Sequence, residues 1–145
     1  MSQIEESVMA YNNPGLPESV PDTPCVSYVG KGWWPVVEAT HKMMLRIAPD
    51  YQLDQVKEKF GGLRYYWHLP TLFEKMPEDA DEDWVPDPAD EAEYKLKYEQ
   101  LTVLADLAEA ICNHLCETCG RANEVGNEGG WLRNQCQNCL MGTTR

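Results

Sequence analysis

The sequence predicts an α+β fold: a small antiparallel β-hairpin packed with two helices, followed by a cysteine-bearing C-terminal unit. Three observations carry that prediction. Within residues 51–69, two runs able to extend flank Gly61-Gly62, and a Gly pair supplies the positive φ values of a tight hairpin turn. Apolar residues recur at helical spacing over residues 34–48 and 88–113. At the end of the chain, Cys116-Glu-Thr-Cys119-Gly120 and Cys136-Gln-Asn-Cys139 form two Cys-x-x-Cys pairs separated by 16 residues. That is the ligand spacing of a structural zinc site, two tight turns aiming four thiolates at one ion.

Three regions follow: an extended N-terminal arm at 1–29, an α+β core at 30–113 with an acidic insert at 77–93, and a zinc ribbon at 114–145. In the arm, Pro14, Pro17, Pro21 and Pro24 remove backbone donors and fix φ, so neither a helix nor a central strand runs through it. Residues 26–29 read as a short edge strand.

The first helix begins near Trp34, where Pro35 suits a first-turn position, and ends at Pro49. Val37, Met44 and Ala48 share one face, with Val36, Met43 and Ile47 beside it. His41 reads as a packed or half-exposed histidine, and Met43 and Met44 as core fillers. In the second arm of the hairpin, Leu63, Tyr65, Trp67 and Leu69 alternate with Arg64, Tyr66 and His68, and the preceding helix is expected to cover the Leu63/Tyr65/Trp67 face.

Lys57, Lys59, Arg64 and Tyr66 admit two readings. Bases interleaved with aromatics on a sheet can track phosphates and stack bases. Alternatively, Lys and Arg protect a sheet edge while the aromatics fill the core.

The net charge of −12 is concentrated: residues 77–93 hold nine acids and no base, against 15 acids and 12 bases elsewhere. The segment is too polar and proline-broken to form core. It reads either as a solvated loop or as a negative surface for a basic partner. In the second case Glu78, Asp79, Asp81, Glu82, Asp83 and Asp87 supply the charge and Trp84 an apolar anchor. The Asp-x-Asp-x-Asp-Gly calcium pattern is absent.

Asp87 then caps a long helix with Pro88 at its first position. Tyr94, Tyr98, Leu101, Leu104, Ala105, Ala108, Ile111 and Cys112 form its apolar stripe. Leu96, Val103 and Leu107 widen the sector, which means either deep burial or a homodimer contact. The helix delivers the chain into Cys116. Gly120 lets the backbone turn away from the metal, Gly126, Gly129 and Gly130 mark turns, and Trp131-Leu132 is expected to fill the ribbon's core. Arg121, Arg133 and Arg145 are its only bases, thin for a nucleic-acid-binding ribbon.

No charged start followed by an apolar run marks a signal peptide, and no apolar stretch reaches membrane-span length. Reduced thiolates binding one structural Zn2+ are therefore expected rather than disulfides. Cys112 reads as a small hydrophobe on a helix face, and Cys25 is uninformative.

Gly-Trp-Trp at 32–34, Gln-Val-Lys-Glu-Lys-Phe-Gly-Gly-Leu-Arg-Tyr-Tyr at 55–66 and the Cys-Glu-Thr-Cys-Gly … Gly-Trp … Cys-x-x-Cys terminus together resemble a group of small bacteriophage- and prophage-encoded proteins of unassigned activity. Only the four cysteines transfer as site residues, and the acidic insert is a local elaboration. The resemblance implies a mobile-element accessory protein acting in a bacterial host cytoplasm.

Enzymatic function is not expected: the sequence has no Gly-rich phosphate loop, no His-Glu-x-x-His and no nucleophile beside a histidine. The first functional expectation is an acidic protein that binds and inhibits a basic, nucleic-acid-binding bacterial defence enzyme, of anti-CRISPR or anti-restriction type. The second is a nucleic-acid-binding zinc ribbon that assists transcription or replication.

Overall fold

A computed structural model describes residues 16–143; the rest of the arm and Arg145 lie outside the described residues. After turns at 16–25, two short 3-10 turns, Val26–Tyr28 and Lys31–Trp33, lead into helix α1, Trp34–Ile47. Strands β1, Gln52–Lys59, and β2, Gly62–His68, form the hairpin, and helix α2 spans Pro88–Cys112. A second hairpin, β3 Gly126–Glu128 and β4 Trp131–Arg133, separates the cysteine pairs, and α3, Gln137–Thr143, closes the chain. The fold is α+β, with two two-stranded antiparallel sheets and a C-terminal four-cysteine cluster. No described helix is long and apolar enough to cross a membrane.

Where an edge strand was expected at 26–29, Val26–Tyr28 form a 3-10 turn that Val29 follows with extended backbone. Val26 and Val29 both enter the core, which a strand's strict alternation would not permit at a spacing of three. Beside them Cys25 takes φ 64, and its thiol donates to the Asp54 carbonyl at 3.4 Å.

In the first hairpin Lys59 pairs with Gly62, so the turn residues are Phe60 and Gly61, one position earlier than the Gly-Gly pair suggests. Their φ values of 55 and 82 are those of a turn whose twist matches its strands. Gly61 is needed at the second position because a Cβ there would meet the side chain of Val125, just before the second hairpin, at 2.7 Å. The register slips between Leu53 and Gln55, a bulge that leaves Asp54 to bind His68 Nδ1 at 2.8 Å.

Leu63, Tyr65 and Leu69 are buried and Trp67 partly so, with Tyr66 and His68 exposed, as the alternation predicts. The long helix α2 covers this face, rather than the preceding helix. Tyr98 of α2 lies tilted against Trp67 with ring centres 5.2 Å apart, Tyr94 Oη donates to the Leu69 carbonyl at 3.2 Å, and Glu109 accepts from Tyr65 N–H at 2.8 Å. Helix α1 also packs on α2, with Val37 and Met44, and Ala48 just after its end, fully buried beside Leu101 in the same core. Its link to the sheet is polar: His41 Nδ1 lies 2.7 Å from Tyr51 Oη, which lies 2.7 Å from Tyr65 Oη.

Not every apolar residue reaches this core. Met43, expected as a core filler, is exposed, as are Leu96, Val103 and Leu107 of α2. The widened apolar sector of α2 is therefore not deeply buried. Trp131 and Leu132, expected to fill the ribbon's core, are exposed too.

Candidate metal centre

Helix α2 ends at Cys112, and a short bridge between Leu115 and Ala122 frames the first cysteine pair. Cys116 N–H donates to Arg121 O at 2.7 Å and Gly120 N–H to Cys116 O at 2.9 Å. This closes a tight knuckle whose exit needs Gly120 at φ 76. The second pair opens α3, where Leu140 N–H donates to Cys136 O at 3.0 Å. The knuckles interlock, with Cys136 N–H donating to Cys116 Sγ at 3.2 Å.

The sulfurs of Cys116, Cys119, Cys136 and Cys139 all lie within 4.8 Å of one another, with Cys119 and Cys136 at 3.6 Å. A regular tetrahedron of thiolates about 2.3 Å from a metal has sulfurs about 3.8 Å apart. The four cysteines therefore have the spacing to hold one metal ion. Cys116 and Cys136 are buried and the other two half-buried. Burial opposes ionisation of Cys136, but hydrogen bonds from Cys139 and from the Cys119 and Cys116 thiols outweigh it and bring its pKa down to about 7. Burial prevails at Cys119, pushed up to about 11, and at Cys139, which is raised; metal binding requires these thiols to lose their protons as well.

No family model, curated protein or solved structure matches the chain. The functional reading therefore rests on geometry.

What holds the centre in place was not visible in the motif. Glu117, between the first two cysteines, accepts from Gly30 N–H through its carboxylate at 2.9 Å and from Gly32 N–H through its carbonyl at 2.7 Å. A Cβ on Gly32 would collide with the Cys116 carbonyl and the Gly120 nitrogen. Buried Trp33 donates its indole N–H to Leu115 O at 2.9 Å. Asn134, fully buried, donates to Cys112 O at 2.9 Å and Asn113 O at 3.0 Å, and accepts from Asn123 at 2.8 Å. The knuckle is thus bonded to the start of α1 and to the end of α2. The Gly-x-Gly at 30–32 was the one available signal, since adjacent glycines permit close backbone approach.

His114, two residues before Cys116, binds Glu124 at 2.6 Å on the surface. Cys112 is a buried helix-face residue whose thiol burial pushes up to about 12.

The structure disperses the acidic set. Glu78, Asp79, Asp81, Glu82 and Asp83 are exposed, and among the described residues no base pairs with them. Asp87 is a structural cap, accepting from Ala89 N–H at 2.8 Å. Trp84 turns inward, edge-on to Phe73 at 5.7 Å, and borders a cleft of about 310 Å³ with Leu69, Lys75 and Tyr94.

The hairpin set stays together on the uncovered face. Lys57 pairs with Arg64 across the strands, and its ammonium lies 5.4 Å from the centre of the exposed Tyr66 ring. Lys59 lies 5.5 Å from the Phe60 ring. Phe60 and Trp131, each 64 % exposed, border a cleft of about 430 Å³ between the two hairpin tips. Neither Phe60 nor Trp131 was singled out as a surface residue from sequence.

Proposed function

We propose that the protein is a non-enzymatic interaction module whose acidic segment docks on a basic partner. In this reading Cys116, Cys119, Cys136 and Cys139 hold a single structural zinc. Four thiolates complete its tetrahedron and leave no open position for water, so the metal fastens the fold and does not react. The observation that carries the reading is the run of five carboxylates from Glu78 to Asp83, all exposed. Carboxylates so arranged have no intramolecular counter-charge to lose on binding, and they favour a surface built to accept phosphates. A nucleic-acid-binding defence enzyme of a bacterium presents such a surface, and the likeness to phage-encoded chains is consistent with an inhibitor acting in the host cytoplasm.

The experiment is capture from bacterial lysate with wild-type bait and with an Asp81→Asn/Glu82→Gln/Asp83→Asn bait, at about 50 and about 300 mM salt. The expected result is a set of basic proteins that the triple variant and the higher salt both deplete. Equal capture by both baits would remove the acidic segment from the mechanism.

A second reading is favoured by the uncovered hairpin face. Phe60, Tyr66 and Trp131 with Lys57, Lys59 and Arg64 offer stacking surfaces beside cations, the combination that binds single-stranded nucleic acid. Titration of labelled single-stranded DNA and RNA at about 50 mM salt tests it, because counterion release favours binding most there. No binding under those conditions would dismiss it.

A further inference from the structure

Between α1 and α2 runs an uncovered apolar groove. Met43, Leu96, Val103, Leu107 and Ile111 along it are each between 40 and 65 % exposed. Two adjoining clefts of about 280 and about 400 Å³ follow its length, the first reaching from Val36 to Ile111 and the second from Ile47 to Leu96. Monomeric proteins seldom leave apolar patches larger than on the order of a few hundred Å² open.

The rims of the groove carry opposite charge. On α1, Arg46 lies nearly one turn after Met43 and Lys42 immediately before it, with the acid Glu38 one turn further back; on α2, Glu99 and Asp106 lie four and three residues from Val103, with the base Lys95 beyond them. Among the described residues neither Arg46 nor Glu99 has an ion-pair partner, while Lys42 is held by Glu38 at 3.1 Å. Helices α1 and α2 run antiparallel, since Val36 shares a cleft with Ile111 and Ile47 with Leu96. A two-fold axis lying along such a groove lays α1 of each copy on α2 of the other, again antiparallel. It then sets the basic rim over the acidic rim twice, as an isologous contact requires. In that arrangement Arg46 would face Glu99 of the second copy.

We propose that the α1/α2 groove is a homodimer interface, with α1 of each chain seated on α2 of a second copy. The apolar band supplies the association, and the rims fix which helix meets which. The two acidic segments precede the N-termini of the α2 helices, beyond Leu96, and so lie at one end of the dimer, where they leave a continuous negative surface.

Sedimentation equilibrium of the full chain from about 1 to about 100 μM tests the proposal, because stable dimers dissociate within or below that range. The expected mass is twice that of one chain. Val103→Asp/Leu107→Asp is expected to give a monomer of unchanged helicity and metal content, since both side chains already face solvent. Arg46→Glu is expected to weaken dimerisation about tenfold, and Arg46→Glu/Glu99→Arg to restore it. These two variants remove no apolar surface and report even if the first misfolds. A single-chain mass at 100 μM would overturn the proposal, as would a dimer unaffected by Val103→Asp/Leu107→Asp. Failure of the double charge exchange to restore affinity would overturn the α1-on-α2 arrangement.

Discussion

The carboxylate of Glu117 accepts a hydrogen bond from the backbone N–H of Gly30 at 2.9 Å, across 87 residues of sequence. Burial raises the Glu117 pKa and this bond lowers it in part. Through that residue the cysteine knuckle and the start of α1 become one unit. Glu117→Ala is expected to lower stability by about 1.5–3 kcal/mol, the usual worth of a hydrogen bond to a charged group. Glu117→Gln keeps an acceptor oxygen and should recover most of that loss. Urea unfolding midpoints measure both, and an equal loss in the two variants would show that charge matters more than the bond to Gly30.

The same linkage sets the consequence of losing the metal. One equivalent of zinc per chain is expected by elemental analysis, and none in a Cys116→Ser/Cys119→Ser variant. Because Trp33 binds Leu115 O, one residue before Cys116, chelation should reach the core, altering indole fluorescence and lowering the unfolding temperature. The destabilisation should be on the order of several kcal/mol, as for small metal-dependent units. A fully folded, metal-free wild type would remove zinc from the account.

His41 makes stability fall in mild acid. Burial lowers its pKa below 6.5. Neutral His41 can accept from the Tyr51 hydroxyl through Nδ1, while Tyr51 accepts from Tyr65. A protonated His41 must donate instead. The chain of hydroxyls then reverses, leaving the proton of buried Tyr65 unsatisfied. A depressed folded-state pKa means that the unfolded chain binds the proton first. The contribution is complete above about 6.5 and is lost as pH falls through the folded-state value. Thermal unfolding between pH 7 and pH 5 should fall more steeply for wild type than for His41→Gln, which keeps an acceptor and cannot titrate. Parallel pH profiles would contradict this.

Phe60 occupies a left-handed turn position, φ 55, with its ring mostly in water. Asn tolerates that conformation far better and forms the preferred Asn-Gly turn with Gly61. Phe60→Asn should therefore stabilise the protein by about 0.5–1 kcal/mol. If the hairpin face binds nucleic acid, the same variant should weaken that binding several-fold through the lost stacking. A destabilised variant would mean that Phe60 packs more tightly than its exposure indicates.

Much of this architecture was legible because its causes are local. Pro35, Asp87 and Pro88 mark helix starts by their own φ and hydrogen-bonding demands, and both starts appear where those residues lie. Leu63, Tyr65 and Leu69 declared one strand face by alternation. The four-cysteine cluster was read from spacing, because two short turns suffice to converge four thiols. Where distant surfaces competed, local signals failed. The turn moved to Phe60-Gly61, where the second hairpin presses on Gly61, and residues 26–29 gave up strand form to place two valines in the core.

The sequence by itself determined the two long helices, the first hairpin, the four-cysteine set and the location of the negative charge, since period, spacing and composition are properties of neighbouring residues; the second hairpin and the closing helix were not among its predictions. Only the tertiary structure decided that α2 rather than α1 covers the hairpin and that Trp84 lies edge-on to Phe73. It alone made Glu117 and Asn134 the fastenings of the metal unit. The reason is physical: a carboxylate or amide becomes structural only when a backbone group from more than twenty residues away arrives within 3 Å of it, and nothing in its own surroundings along the chain announces that arrival.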